Sequence, residues 1–309
     1  MTTLADALSA YRIFAQAEGK SPKTVRWIET SLSYFGDFLG DTADVSKISG
    51  DDLRRFIIAP RQRHKFANHP LTKPMEATIS LQSIQTYTRA VRAFFGFLYR
   101  EGFIKKNPME GVKLPKVPYK VVPTFSNHEI EKLLCQPNKQ TNRGFRDYAI
   151  MLTLVDSAAR IGEMASLKVE DVDLENGYLK VMGKGSRERF IPFGHKVAKT
   201  LFKYKLRHRR DPLGSSSFWL TNDGRPMTAA RMEDVIEAHG KSAGLKRCYP
   251  HKLRHTGAVL YLRNGGDPFS LQKKLGHSSL QMTRHYSNLA DSDVRAQHLK
   301  YGVAGRLKA

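Results

Sequence analysis

The chain has 309 residues, of which 40% are hydrophobic and 26% charged, so it is globular in composition and long enough for about two domains. Its 51 lysines and arginines outweigh 29 acidic residues and give a formal net charge of +22. Residues 1–120 hold 19 basic against 11 acidic residues, so both halves carry the excess. This balance favours a polyanionic partner, most commonly nucleic acid, although ribosomal association or an anionic membrane surface would give the same charge.

The sequence also indicates a cellular compartment. Cys135 and Cys248 are too few for a disulfide framework, and reduced thiols in a cytoplasm are the default. The N-terminus lacks the charged and apolar regions of a signal peptide, and no uncharged apolar run reaches the roughly 18 residues that a membrane span requires. We therefore expect a soluble cytoplasmic protein, associated with the nucleoid if the partner is DNA.

The first hundred residues show the apolar spacing of four helices. Ser21-Pro22 and Asp51-Asp52 mark two of the helix starts, and Arg61 to Pro74 is a basic loop that contains prolines. The predicted helices begin at Leu4, Ser21, Asp51 and Ser80 and end before Gly19, at Leu39, at Ile58 and at Arg100. Together they predict a small helical bundle with basic residues on its outer faces.

A proline-rich linker follows the bundle. Residues 112–123 contain three prolines, which exclude a helix, and the lysines Lys113, Lys116 and Lys120, which suit contact with phosphates. The predicted domains are therefore residues 1–111 and 124–309, joined by this linker.

The second half is predicted to be mostly helical, with one β-hairpin. Tyr178–Met182 and Arg189–Phe193 flank the turn residues Gly183-Lys184-Gly185-Ser186. Helices are predicted at about His195–His208, Thr228–Ser242, Pro250–Arg263, Pro268–Leu275 and Ser279–Ser287, with a last short helix from Asp291 to Lys300. The fold class is thus mainly α with a small β-hairpin, an α+β arrangement.

Two cationic residues could bind a phosphate. Arg160 lies between two apolar helical segments, where Glu163 could hold its guanidinium, and arginine offers a phosphate a bidentate fork. A structural Arg–Glu pair would look the same. Lys184 stands between two glycines, which allow a ligand to approach closely, but a Walker A motif is excluded by the spacing.

A second group of residues lies between 251 and 286. His251, Arg254 and His255 follow Pro250 at helical spacing, His277 lies further on, and Tyr286 comes nine positions after His277 in a polar neighbourhood. A zinc site built from the histidines is disfavoured, because neither Cys nor a carboxylate accompanies them and Arg254 would repel a cation. Together these residues offer a nucleophile, phosphate-binding cations and a proton donor.

The stretch from Lys196 to Arg210 is strongly basic and contains no acidic residue. A solvated helix face is one explanation, and contact with a DNA backbone is at least as good. The candidate contacts are Lys199, Lys203, Lys205 and Arg207, in addition to the linker lysines.

The order and spacing of these motifs resemble the tyrosine recombinase (phage integrase) family, in the form of a simple two-domain member. Two departures are Arg187, where many relatives have a second hairpin lysine, and Ser287-Asn288 after the tyrosine. The positions that match the family's motifs are Arg160 with Glu163, Lys184, His251-x-x-Arg254, Leu275-Gly276-His277 and Tyr286. The resemblance implies a helical core-binding domain followed by a catalytic domain.

The resemblance also implies a mechanism. Tyr286 attacks a scissile phosphate and forms a 3′-phosphotyrosine, which another strand resolves without ATP, metal or any other cofactor. The implied partner is double-stranded DNA, which a homotetramer binds at two sites. The free protein is expected to be a monomer or dimer. DNA-bending accessory proteins are a further possible partner. In the implied mechanism, Arg160 and Arg254 bind the phosphate oxygens, and Glu163 orients Arg160. Lys184 acts as the general acid, and His251 accepts the proton of the tyrosine. His277 donates a hydrogen bond to the phosphate.

Three alternatives stay open. The long basic loop favours the integrase or excisionase of a mobile element over an Xer-like dimer resolvase, which shares the same motifs. A type IB topoisomerase-like enzyme would use the same chemistry without exchanging partners. A non-catalytic protein that binds or bridges DNA would use the charge alone.

Overall fold

The computed structural model describes residues 2–61, 64–65, 75–118, 123–183, 188–276 and 298. The chain divides into two compact units, Met1–Lys120 and Val121–Ala309. Both are mainly helical, and each carries one small antiparallel sheet, which confirms the predicted fold class. In the part of the chain that is described, no helix is long and apolar enough to cross a membrane.

The first unit is built from the four predicted helices. Its elements are α1 Leu4–Ala17, α2 Pro22–Leu39, α3 Gly50–Ile58, α4 Leu81–Arg100, and the strands β1 His64–Lys65 and β2 Met75–Thr78. Ser21 caps α2 by accepting a hydrogen bond from the Thr24 amide at 3.2 Å, as its position before Pro22 predicts. The loop predicted from Arg61 to Pro74 needs one correction. It contains β1, which pairs with β2, and strands this short leave no periodic pattern in a sequence.

Aromatic packing holds this bundle together. The Phe35 ring of α2 is fully buried and meets Phe56 of α3 edge-on at 5.1 Å and Phe95 of α4 at 5.8 Å between ring centroids. Edge-to-face pairs of this kind add about 0.5–1.5 kcal/mol beyond the buried area. One side chain thus joins three of the four helices.

Among its described residues, the second unit contains seven α-helices and a three-stranded sheet. Its elements are α5 Asn127–Cys135, α6 Asn142–Ser157, α7 Ile161–Ala165, β3 Val172–Asp173, β4 Tyr178–Met182, β5 Glu188–Pro192, α8 His195–Lys203, α9 Ala229–Ser242, α10 Pro250–Arg263 and α11 Pro268–Leu275. β4 is the central strand and pairs antiparallel with both neighbours.

Most predicted elements of this unit are confirmed, with three corrections. α5 was not predicted, although Ser126 and Glu129 form a capping box at its start. β3 adds a third strand to the predicted hairpin. The helix predicted through His208 is α-helical only to Lys203, and a wider π-helical turn follows from Tyr204 to His208. The last two predicted helices lie outside the described residues, apart from His298, which is helical.

Helix α6 is the centre of this unit. Ala149, Ile150 and Leu154 are fully buried, and the helix packs against α5, α8, α9 and α10. It meets α10 at Gly257, where a Cβ atom would lie 2.1 Å from the Val155 carbonyl oxygen. A side chain at this position would collide with that oxygen, so glycine allows α10 to pack closely against the end of α6.

The alanine substitution at Gly257 tests this packing. Gly257→Ala should destabilise the second unit by about 1–3 kcal/mol, because the added methyl group meets backbone atoms that cannot rotate away. Urea unfolding followed by the fluorescence of buried Trp219, in a Trp27→Phe background, measures the effect. Gly162→Ala is the control, since no atom lies within 4 Å of a Cβ placed there. Equal stability of the two variants would contradict the close approach.

Candidate active site

Helix α10 presents its cluster of basic residues in its first two turns. Tyr249 is the N-cap residue, and Pro250 starts the helix with its φ angle already helical. His251 is exposed and His255 is half-buried one turn later, with their ring centroids 6.5 Å apart. The predicted shared face holds for the two histidines, whereas Arg254 lies in the protein interior and is only 4% exposed.

Arg254 links two segments that are distant in sequence. Its Nη1 donates a hydrogen bond to the Ala158 carbonyl oxygen, and its Nη2 donates to that of Leu275 at 2.8 Å. A charged donor to a carbonyl contributes more than a neutral one, and it satisfies carbonyl groups at two helix ends. Arg254 therefore fixes the end of α6 against the end of α11.

The turn between α6 and α7 brings out Arg160. Ala158 ends α6 in the left-handed conformation, with φ 51°, and Arg160 follows in extended conformation as the N-cap residue of α7. Its guanidinium donates to Glu163 Oε1 at 2.9 Å, while its amide donates to Oε2 at 2.8 Å. The Arg160 side chain is 36% exposed and Glu163 only 6%. The arginine is thus held on one side and open on the other.

Sequence reasoning missed a second arginine at this carboxylate. Arg189 of β5 donates from Nη1 and Nη2 to the two oxygens of Glu163, at 2.6 and 2.8 Å. Its Nε donates to the Lys274 carbonyl oxygen at 3.4 Å. A signal existed in the sequence, because Arg189 lies two residues before buried Ile191 and so faces the same side of the strand. A charge on the inner face of a strand requires a partner.

The pKa of Glu163 reflects this environment. Burial of the carboxyl would raise its pKa, but the hydrogen bonds from Arg189 and Arg160 outweigh burial and hold the pKa below its ordinary value of 4.5. The carboxylate is therefore ionised and shared by two guanidinium groups at neutral pH.

The end of α11 completes the arrangement. Gly276 adopts the left-handed conformation with φ 64°, and a Cβ atom there would lie 3.0 Å from Arg189 Nε. Lys274 donates from Nζ to the Asp156 carbonyl oxygen at 2.7 Å, and burial lowers the pKa of its amine. Hydrogen bonds thus join the end of α6, the start of α7, strand β5 and the end of α11.

The structure brings together part of the predicted catalytic set. Arg160, Glu163 and Arg254 belong to the joined segments, and His251 lies on the same helix as Arg254. Lys184, His277 and Tyr286 lie outside the described residues, although Gly183 and Gly276 directly precede the first two. Among the residues described, no group of three or more His, Cys, Asp or Glu could hold a metal ion.

The predicted DNA contacts are all on the surface where they are described. Lys113 and Lys116 in the first unit are exposed, and Lys120 lies outside the described residues. The four candidates in the basic stretch are exposed as well, namely Lys199, Lys203, Lys205 and Arg207. Arg209 differs, because its guanidinium is 10% exposed and donates to Asp211 and to the carbonyl groups of Ser215, Ser217 and Phe218. Arg209 thus has a structural role.

Comparison with known proteins assigns the family. The phage integrase family model matches residues 123–293, which is more than half of the chain. The chain belongs to the phage integrase family. It is therefore a tyrosine recombinase, an enzyme that cuts and rejoins DNA strands.

Individual relatives cover nearly the whole chain. The tyrosine recombinase XerC of Oceanobacillus iheyensis is 30% identical over 288 residues, 91% of this chain and 90% of that protein. Lambda integrase residues 75–356, solved as a dimer on a COC′ core site, share 19% identity and a TM-score of 0.73 over 92% of this chain and 95% of that one. A lambda integrase tetramer bound to a Holliday junction shares 19% identity and a TM-score of 0.69, over 90% of this chain and 78% of that one. These structural matches establish the fold of the recombinase.

The shared carboxylate makes stability depend on pH. Because the pKa of Glu163 is lowered on folding, its ionised form stabilises the native state above about pH 4.5, and this contribution is lost as the pH falls through the lower native value. The difference in unfolding free energy between wild type and Glu163→Gln should be largest near pH 7 and shrink below about pH 4. Denaturation at a series of pH values measures it, with exposed Glu131→Gln as control. A difference that stays constant with pH would contradict this account.

Proposed function

We propose that this recombinase exchanges DNA strands at specific sites with Tyr286 as its nucleophile. The proposal rests on two sets of hydrogen bonds at neighbouring positions in the fold. Glu163 holds Arg160, and Arg254 donates to the carbonyl groups of Ala158, two residues before Arg160, and Leu275, two residues before His277. A phosphodiester under attack develops charge on its non-bridging oxygens, and fixed guanidinium groups stabilise that charge without reorganisation.

Arg160 and Arg254 bind the non-bridging oxygens in this proposal. Arg160 has one side of its guanidinium open to solvent, and Glu163 holds the other side. Arg254 is fixed between the carbonyl groups of Ala158 and Leu275, so its charge lies at the junction of the helix ends. Positive charge and a base are needed here, because a phenol with a pKa of about 10 attacks poorly at neutral pH.

The proton transfers use the remaining motif residues. His251, exposed in the first turn of α10, accepts the proton of Tyr286. Lys184 protonates the 5′-oxygen, which is a poor leaving group as an alkoxide, and His277 donates a hydrogen bond to the phosphate. The phosphotyrosine keeps the free energy of the broken phosphodiester, so rejoining requires neither ATP nor a metal ion.

The assembly and the biological role are also proposed. The first unit, with its lysines at 113–120, binds double-stranded DNA together with α8, and four copies act on two sites at the nucleoid. The lambda integrase tetramer bound to a Holliday junction supports an assembly of four copies. DNA-bending accessory proteins are further partners in this proposal. We propose integration or excision of a mobile element. Dimer resolution is the second candidate, which the full-length similarity to XerC favours.

Replacement of the nucleophile tests the chemistry. Tyr286→Phe should keep its affinity for DNA and lose all covalent adduct, because phenylalanine has no oxygen to attack phosphorus. DNA trapped covalently on the wild-type protein in cells is sequenced first, and a labelled nicked duplex of that site then reports adduct formation on denaturing gels. Tyr249→Phe is the matched control, since this exposed tyrosine lies at the start of α10.

The same assay separates the alternatives. Adduct formed by Tyr286→Phe would refute the nucleophile assignment. A non-catalytic bridging protein would form no adduct even in the wild type. A topoisomerase would relax supercoiled plasmids that lack the trapped site, whereas a site-specific recombinase should leave them supercoiled.

The basic surface of α8 and the following turn is tested by salt dependence. Lys199→Gln, Lys205→Gln and Arg207→Gln together should make the negative slope of log affinity against log salt shallower by about 0.9 for each lost phosphate contact. The control removes the same charge from exposed residues elsewhere on the unit, with Lys132→Gln, Lys139→Gln and Lys241→Gln. Equal changes in both sets would mean that net charge, and not this surface, determines the slope.

A further inference from the structure

We infer that Arg189 is a positioning residue of this active site, which holds Glu163 and the end of α11 so that Arg160 presents its guanidinium to the scissile phosphate. The inference deepens the proposed function and rests on it. Arg189 lies outside the motifs that identified the catalytic set, and its role follows from its contacts alone.

The two arginines at Glu163 differ in their access to a ligand. Arg189 engages both carboxylate oxygens and has 14% of its side chain exposed, whereas Arg160 makes one side-chain contact to Oε1 and is 36% exposed. A bidentate guanidinium–carboxylate pair has a defined geometry. Arg189 therefore fixes the carboxylate, and the carboxylate fixes Arg160 with its outer side open.

Arg189 also connects segments that carry other members of the proposed site. It lies on β5, which pairs with β4, and β4 leads to Gly183 immediately before Lys184. Its Nε contacts the Lys274 carbonyl oxygen and lies where a Cβ of Gly276 would come within 3.0 Å. One side chain thus contacts α7, the end of α11 and its own hairpin.

A lysine could not replace it. The ammonium group of a lysine is a compact charge on a flexible stem. The planar guanidinium instead donates in fixed directions to both Glu163 oxygens and to the Lys274 carbonyl oxygen. Loss of the fork leaves Glu163 with a single arginine and frees the start of α7 to move. A misplacement of about 1 Å at a reacting group costs about 10²-fold in rate.

The first experiment separates charge from geometry. Arg189→Gln and Arg189→Lys are compared with wild type for the single-turnover rate of covalent adduct formation at saturating DNA, and for DNA affinity. Both variants should form adduct about 10²-fold more slowly. Arg189→Lys should bind DNA as tightly as wild type, because it keeps the charge. Arg189→Lys cleaving at the wild-type rate would overturn the inference.

Arg209→Gln is the matched control for loss of structure. Arg209 is equally enclosed, and it also binds a carboxylate and backbone carbonyl groups, but in another part of the unit. Arg209→Gln should lower the unfolding temperature without slowing adduct formation at temperatures where it stays folded. Equal slowing by Arg209→Gln and Arg189→Gln would reduce Arg189 to a structural role and overturn the inference.

A double-mutant cycle tests whether Arg189 acts through Glu163. If it does, the variant carrying both Glu163→Gln and Arg189→Gln forms adduct no more slowly than the slower single variant. If the double variant instead slows adduct formation by the product of the two single-variant factors, Arg189 acts on DNA directly. The proposed function fails separately, through a wild-type protein that forms no Tyr286-dependent adduct.

Discussion

The proposed active site depends on one buried carboxylate that is shared by two arginines. Glu163 is 6% exposed, and hydrogen bonds from Arg160 and Arg189 keep it ionised in spite of its burial. Removing the carboxylate would leave the enclosed Arg189 guanidinium without its counter-ion, and an unpaired buried charge costs far more than the ion pair stabilises. The carboxylate therefore couples the start of α7 to strand β5, and neither arginine can change position independently.

Close helix packing makes this coupling possible. Gly257 lets α10 approach the end of α6 at Val155, and Arg254, less than one turn before Gly257, then reaches the carbonyl group of Ala158. Leu275 at the end of α11 accepts the second bond from Arg254. Cationic side chains thus replace the missing backbone partners at two helix ends, which places positive charge at the junction of the elements that carry the family's motifs.

Local signals in the sequence predicted most elements. The Ser21 cap, Pro22 and the prolines that start α10 and α11 place helix ends by chemistry that acts over one turn. The short strands β1, β2 and β3 were missed because so few residues leave no periodic pattern, whereas α5 was missed although Ser126 and Glu129 form a capping box at its start. The predicted extent of α8 was too long because the change to a π-helical turn at Tyr204 depends on packing of the Tyr204 ring against Trp219 and Phe218.

The family could be recognised from local sequence. Arg160, Lys184, His251, Arg254, His277 and Tyr286 stand in an order and spacing that resemble the recombinase family, and the family match confirms the membership. Only the tertiary structure showed that Glu163 serves two arginines, that Arg254 is enclosed while Arg160 is open, and that Arg189 belongs to the cluster. Motif spacing reports which residue types are present, whereas these features depend on contacts between segments that lie 26 to 96 residues apart and on which side chains the fold shields from water.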